Sequence, residues 1–157
     1  QKMNVKPDFM AHNFEGVDNV KEYLIDEGIL EKPYVICVGP GMHKPSTQTY
    51  PDPWGMLYLI NIINYATSII PREDIVLGAS IGGRNWLPIT TLAIMLGVDF
   101  VRLGMEDAMH LYPHKDDLID SCAQVTRKVA NIARELGREI ATPAEGRKLL
   151  ALKKKKK

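Results

Sequence analysis

Apolar residues recur along this chain in two alternating patterns, one typical of buried strands and one typical of helices. Four short segments are rich in apolar residues, as strands of a parallel sheet are, and span residues 6–13, 34–39, 74–80 and 99–104. Each is followed by a longer segment with the length or spacing of a helix, over residues 17–30, 54–70, 86–97 and 115–137. The alternation predicts four βα units that build a parallel sheet with right-handed crossovers.

The ends of the chain and its connections refine this prediction. Thr142, Pro143 and Glu145 have the order of an N-cap, a first helical residue and a capping-box partner, so a last helix is predicted over residues 142–152. Residues 138–141 are predicted to be a short extended piece, and residues 40–53 a long loop rich in Pro, Ser and Thr. Two α/β architectures fit: an open doubly wound sheet, or part of a (β/α)8 barrel, which typically needs about 250 residues.

Composition excludes some classes of function. The chain has 157 residues, 45% of them hydrophobic, with a net charge of +1, so no strong field favours nucleic acid or an anionic membrane. No apolar run reaches the roughly 18 residues of a membrane span, and no signal peptide is evident. Cys37 and Cys122 are too few for a disulfide framework, so we expect a reduced, cytoplasmic protein. The lysines at 153–157 are interpreted as a disordered or artefactual tail after a domain spanning residues 1–152.

Polar side chains follow every predicted strand, where the active sites of both architectures lie. In strand order they are Asp8, His12, Asn13; His43, Lys44, Ser46, Thr47; Ser80, Arg84, Asn85; and Arg102, Glu106, Asp107. The glycines of "GASIGGRN", residues 78–85, have the wrong spacing for a dinucleotide loop and indicate at most a phosphate contact.

Arg102, Glu106 and Asp107 each have two interpretations. Strand alternation places Phe100 and Arg102 on one face, and a buried arginine requires a partner. Arg102 therefore either makes a structural ion pair or holds a carboxylate in a site. Glu106 and Asp107 either begin a helix, where its dipole favours negative charge, or form a site in which one binds a cation and the other transfers protons. The residues alone leave these alternatives open.

The four histidines are weaker candidates for metal binding. Glu106, His110 and His114 recur at every fourth position, as ligands on one helical face would, but Pro113 argues against a regular helix there. His12 and His43 follow other strands and are also possible ligands, although such histidines are more often simply hydrogen-bonded.

Long stretches of this sequence resemble the β-keto acid cleavage enzyme family. They are "YLIDEGILEKPYVICVGPGM", "DIVLGASIGGRNWLPITTLAIMLGVDFVRLGMED" and "ARELGREIATPAEGRKLLAL", and the resemblance covers about residues 6–152. It implies a zinc-dependent (β/α)8 barrel that converts a β-keto acid and acetyl-CoA into acetoacetate and a new CoA thioester. The type activity is 3-keto-5-aminohexanoate cleavage in lysine degradation.

The resemblance also implies roles for individual residues. Glu106 matches the family's glutamate ligand to zinc, Asp107 its catalytic base, and Arg102 the arginine that pairs with this base and with substrate. Asp8 matches an acidic position of the family that contributes to substrate binding. The family's His-x-His zinc ligands have no counterpart in this chain, and Met10 and Ala108 replace an acidic residue and an asparagine that are common there.

The four predicted units correspond to the carboxyl-terminal half of such a barrel. A half-barrel has open strand edges, so we expect a homo-oligomer or a complementary barrel half. The leading hypothesis is a β-keto acid cleavage enzyme, or the half of it that carries the Arg102–Asp107 dyad. The alternatives are a non-catalytic half-barrel that assembles with others or binds a CoA thioester, and another TIM-barrel metal enzyme such as an aldolase.

Overall fold

The computed structural model describes residues 5–39 and 54–152. Across these residues strands and helices alternate, and a last helix follows the fourth unit. The strands are β1 (Asp8–Ala11), β2 (Tyr34–Val38), β3 (Ile75–Ser80) and β4 (Phe100–Arg102). The helices are α1 (Phe14–Val20), α2 (Trp54–Ile69), α3 (Trp86–Met95), α4 (Cys122–Glu135) and α5 (Pro143–Leu149). The predicted loop at 40–53, which contains His43, and the lysine tail at 153–157 lie outside the described residues.

The order of the strands decides between the two predicted architectures. The four strands are parallel and lie side by side in the order of the chain, β1-β2-β3-β4. A doubly wound sheet reverses its strand order at a switch point, whereas a barrel adds each strand beside the previous one. The fold is therefore of the (β/α)8 type, with four consecutive βα units and α5, as the family resemblance implied.

The two faces of the sheet have different surroundings. Ile36, Val38, Leu77 and Ala79 point to one face and pack in the main apolar core. The helices contribute the other large side chains of this core, among them Val17, Leu59, Ile62, Trp86, Ile89 and Val125. Because neighbouring residues of a strand point to opposite faces, the alternate positions of the same strands form the face that lies inside a barrel.

Phe100 and Arg102 lie on this inner face, as strand alternation predicted. Phe100 pairs with Gly78 and Arg102 with Ser80 in the register of β3 and β4. The Phe100 ring covers Gly78 so closely that a Cβ at position 78 would collide with it. A glycine in the centre of β3 therefore makes room for the aromatic ring of β4.

The first helix differs from its prediction at its start. Asn13 caps α1 by accepting a hydrogen bond from the Gly16 amide at 2.8 Å, so the helix begins at Phe14 rather than at residue 17. It continues as a π-helical turn over Lys21–Ile25. Gly28 has a φ of 67° and follows the helical region, in agreement with the predicted stop.

The predicted helix over residues 115–137 is wrong in its first part. The helix α4 begins at Cys122, where the Ser121 side chain accepts a hydrogen bond from the Gln124 amide. Before it, the Leu111 amide donates to the Asp117 carbonyl at 2.8 Å and the Ile119 amide to the Met109 carbonyl at 2.9 Å. These cross-loop bonds use the backbone groups that a helix would have required.

The last helix has the predicted capping box. Thr142 accepts a hydrogen bond from the Glu145 amide at 3.3 Å, and the Glu145 carboxylate accepts one from the Thr142 amide at 2.8 Å. The hydrogen bonds that its carboxylate accepts from the Thr142 amide and hydroxyl lower the pKa of Glu145. The extended piece predicted at residues 138–141 is not a strand.

Candidate functional site

Arg102 ends β4, and its guanidinium contacts three side chains at the carboxyl edge of the sheet. Nη1 donates to Asp107 Oδ2 at 2.6 Å and to Ser80 Oγ at 2.9 Å. Nη2 donates to Glu106 Oε1 at 2.5 Å. The hydrogen bond to Asp107 is the main reason why the pKa of Arg102 is raised, and the charge of Glu106 adds to it. The structure thus brings together the three residues that the sequence marked as the leading candidates.

A tight turn after β4 places the two carboxylates on one arginine. Residues 105–107 form this turn, and the Asp107 amide donates to the Gly104 carbonyl at 3.4 Å. The Glu106 carboxylate folds back over Gly104, where a Cβ would collide with it. Glu106 and Asp107 do not begin a helix, since the next helix starts at Cys122. The interpretation that they serve a helix dipole is therefore wrong.

The glycine-rich turn after β3 packs against the backbone of Asp107. The Gly83 amide donates to the Asp107 carbonyl at 2.7 Å. A Cβ on Gly82 would lie 2.7 Å from the same carbonyl oxygen, and Gly83 has a φ of 78°. Both positions therefore require glycine, one for close approach and one for its backbone conformation. The Gly83 amide is therefore not free for a phosphate.

Arg84 serves the loop after β4 rather than the site. Its guanidinium donates to the carbonyls of Pro113 and Lys115 at 3.0 and 2.8 Å, and to Asp116 at 2.7 Å. The hydrogen bond from Arg84 lowers the pKa of Asp116. Trp86 adds a bond from its indole nitrogen to the His110 carbonyl at 2.8 Å.

The predicted metal-binding face through Glu106, His110 and His114 does not form. The segment that contains these residues is a loop, and His110 lies in an isolated antiparallel bridge with Leu118. Pro113, whose carbonyl accepts from Arg84, lies between the two histidines. The four-residue spacing has no meaning for side-chain position outside a helix.

His12 follows β1 at the same edge of the sheet as Arg102. Its Nδ1 lies 2.8 Å from the place where a Cβ of Gly39 would be, so the imidazole covers that glycine. Nδ1 is buried and has no hydrogen-bond partner in the part of the chain that the structure describes.

Asp8 lies at the opposite end of β1, which it begins, rather than after the strand. Burial raises the pKa of Asp8, and the positive charge of Arg102 opposes that shift. Cys37 is on the same face, and burial, together with the charge of Asp8 and against that of Arg102, raises the pKa of its thiol to about 12. Cys37 is therefore a protonated, buried residue at neutral pH.

Ser80 is the contact of Arg102 that the site prediction missed. It was one of several polar residues at strand ends, without an assigned role. The register of the sheet could have identified this contact. Ser80 pairs with Arg102 across β3 and β4, and paired residues of parallel strands share a face.

The chain matches the family model described as beta-keto acid cleavage enzyme over residues 1–152. It belongs to that family. A relative named 3-keto-5-aminohexanoate cleavage enzyme, from Fusobacterium nucleatum, is 44% identical over 72 residues, which are 46% of this chain and 25% of the relative. A 3,5-dioxohexanoate:acetyl-CoA acetone transferase from Paraburkholderia graminis is 38% identical over 78 residues, 50% of this chain and 23% of the relative.

The structure of apo ObcA is similar in fold. It has a TM-score of 0.75 at 16% sequence identity, and the match covers 96% of this chain and 37% of that chain. The chain thus matches about a quarter of the two curated relatives and little more than a third of ObcA. No helix among residues 5–39 and 54–152 is long and apolar enough to cross a membrane.

The described residues do not form a zinc site by themselves. Among residues 5–39 and 54–152, no group of three or more His, Cys, Asp or Glu side chains is arranged to hold a metal ion. A catalytic zinc site usually has three protein ligands, whereas here Glu106 is bonded to Arg102. His43, another candidate ligand, lies outside the described residues.

Proposed function

We propose that this chain carries the acid–base part of an active site that exchanges acyl groups between a β-keto acid and acetyl-CoA. The products are acetoacetate and a new CoA thioester. The observation that carries the proposal is the Arg102 guanidinium, which holds Asp107 and Glu106 at the carboxyl edge of a barrel-type sheet. Membership of the family and the names of the relatives support it.

In this reaction Asp107 is the general base. The methylene group of a β-keto acid lies between two carbonyl carbons, and Asp107 takes one of its protons. The resulting carbanion attacks the carbonyl carbon of acetyl-CoA, and CoA leaves as a thiolate. The thiolate then adds to the original keto carbon, and the bond from that carbon to the former methylene breaks. Asp107 returns its proton to the acetoacetate carbanion, so the base is regenerated.

Arg102 supplies charge and orientation for these steps. Its hydrogen bond to Asp107 fixes the direction of one carboxylate oxygen. The side chains of Arg102 and Glu106 are 43% and 56% exposed, so the Nη2 arm of the guanidinium can be reached from solvent. We assign this arm to the carboxylate of the β-keto acid.

The active form requires more than the described residues. The sheet has unpaired edges at β1 and β4 within the described part of the chain, and a closed barrel needs further βα units on these edges. We propose that a complementary barrel half or a second copy supplies them. Glu106 is the described residue that we propose as a zinc ligand, with the remaining ligands outside the described residues.

The test is a product assay on the assembled protein. It would be incubated with acetyl-CoA and either 3-keto-5-aminohexanoate or 3,5-dioxohexanoate, and acetoacetate and the new CoA thioester would be measured by mass spectrometry. We expect Asp107→Asn to lower kcat by about 10²–10⁴-fold, the usual contribution of a general base.

A near-normal kcat in Asp107→Asn would show that this residue is not the base. Binding of acetyl-CoA without any turnover by the unmodified assembly would instead favour the alternative of a non-catalytic thioester-binding module.

A further inference from the structure

The segment Ser80–Gly83 contacts both members of the Arg102–Asp107 dyad, although no catalytic group belongs to it. Ser80 ends β3 and is completely buried. Its hydroxyl oxygen accepts a hydrogen bond from Arg102 Nη1 at 2.9 Å, and the same nitrogen donates to Asp107 at 2.6 Å. Nη1 carries two protons, so these two acceptors use both.

The hydroxyl of Ser80 therefore determines the rotation of the guanidinium. A guanidinium is a planar fork, and fixing both protons of one nitrogen fixes the plane. Nη2 then points to Glu106 and to the exposed side of the site. Without the Ser80 oxygen, one proton of Nη1 would face a buried strand with no acceptor, which is costly for a charged group. The guanidinium would be expected to rotate away from Asp107.

The glycines of the same segment hold Asp107 from its backbone. The Gly83 amide donates to the Asp107 carbonyl at 2.7 Å, and Gly82 is in contact with the same oxygen. A side chain at position 82 would push Asp107 away, because its Cβ would lie 2.7 Å from that oxygen and 3.1 Å from the Asp107 Cβ. One short segment thus restrains the arginine by a side chain and the aspartate by its main chain.

We propose that Ser80 and the Gly82–Gly83 turn are the positioning element of the dyad. Ser80 is a positioning residue that acts through Arg102, and Gly82 and Gly83 act through the backbone of Asp107. The inference rests on the proposed function for its catalytic consequence, but the geometric restraint can be measured without turnover.

The first test compares Ser80→Ala with Thr90→Ala in the assembled protein. Thr90 is a matched control, because its hydroxyl is also buried but has no hydrogen-bond partner in the described part of the chain. We expect Ser80→Ala to lower kcat by about 10- to 10²-fold with KM changed less than threefold, since a misplacement of 1 Å can cost about 10²-fold. We expect Thr90→Ala to keep kcat and change only stability.

A double-mutant cycle shows whether Ser80 acts through Arg102. In an Arg102→Lys background, Ser80→Ala should lower kcat by less than about twofold, because a lysine ammonium has no fork to be oriented. Equal losses from Ser80→Ala in both backgrounds would overturn the assignment.

A readout without turnover separates this inference from the proposed function. ¹⁵N NMR of the Arg102 guanidinium should show separate Nη signals with slow rotation in the unmodified protein and averaged signals in Ser80→Ala. Unchanged Nη signals in the variant would overturn the role of Ser80, whatever the enzyme activity is.

Gly82→Ala tests the contact between the Gly82–Gly83 turn and the backbone of Asp107. It should lower kcat, since it moves Asp107 but leaves Ser80 in place. Full kcat in a folded Gly82→Ala protein would show that the Gly82–Gly83 turn does not position Asp107. This variant remains informative if Ser80→Ala does not fold.

Discussion

Two arginine–aspartate pairs lie at opposite ends of β4, and their exposure is almost the same. Arg72 binds Asp99 just before the strand, and Arg102 ends the strand and binds Asp107. The arginine side chains are both 43% exposed, and the aspartates are 20% and 16% exposed. Burial therefore does not show which of the two pairs belongs to a functional site.

The partners of the two pairs show the difference. Arg72 also donates to the carbonyls of Ile75 and Gly97, both at 3.1 Å, and Asp99 accepts from the Leu77 amide at 2.8 Å.

Within residues 5–39 and 54–152, the hydrogen bonds of the Arg102 guanidinium go to side chains: Ser80, Glu106 and Asp107. An ion pair whose other hydrogen bonds go to the backbone holds the neighbouring loops in place. An ion pair whose other hydrogen bonds go to side chains, at the carboxyl end of a strand, can exchange one of these partners for a substrate.

The largest expected contrast is in activity after replacement of each arginine by lysine. Arg102→Lys should lower kcat by about 10²-fold, because an ammonium cannot orient Asp107 while it bonds Ser80 and Glu106. Arg72→Lys should keep kcat within about twofold. Steady-state kinetics of the assembled protein measures both, and equal losses would show that the two pairs do not differ in function.

The next contrast concerns metal content. The Arg102 pair has a third charged partner in Glu106, and among the described residues the Arg72 pair has no such carboxylate. If Glu106 is a zinc ligand, Glu106→Gln should contain much less zinc than the stoichiometric amount expected for the unmodified assembly, while Arg72→Lys should retain it. Elemental analysis after dialysis gives the values. Stoichiometric zinc in Glu106→Gln would exclude this residue as a ligand.

Stability should show the opposite order of effects. Asp99 uses both carboxylate oxygens, one of them for the Leu77 amide, so Asp99→Asn should lower the free energy of unfolding by about 1–3 kcal/mol. The side-chain hydrogen bond of Asp107 uses one oxygen, which an asparagine can replace, so Asp107→Asn should cost less. Urea denaturation compares them, and a larger loss in Asp107→Asn would contradict the distinction.

The smallest effect concerns the pKa of Asp8. Burial raises this pKa above 3.8 in the folded protein, so ionised Asp8 disfavours folding at neutral pH, and the penalty disappears as the pH falls through the folded value. The charge of Arg102 lowers the pKa, so Arg102→Met should raise it further, whereas Arg72→Met should not. NMR titration of the Asp8 carboxyl measures the shift. The same shift in both variants would show that the charges of Arg102 and Arg72 affect the pKa of Asp8 equally.

The identity of the candidate residues came from the sequence, but their contacts did not. Apolar runs followed by polar residues indicated four βα units and placed Arg102, Glu106 and Asp107 together at one strand end. The start of α4 was predicted incorrectly because the spacing before Ser121 looked helical, while the loop there uses its backbone across residues 109–119. The loop that makes these hydrogen bonds is also held by Trp86 at the start of α3 and by Arg84 just before this helix, contacts that are distant in sequence.

The sequence by itself determined the strand–helix alternation, the face shared by Phe100 and Arg102, and the capping box of α5, because these depend on periodicity and on residues close in the chain. Only the tertiary structure decided that strand order is sequential, that Ser80 holds Arg102, and that the Gly82–Gly83 turn closes on Asp107. The physical reason is that register brings residues more than twenty positions apart within hydrogen-bond distance, and no local pattern records which strands become neighbours.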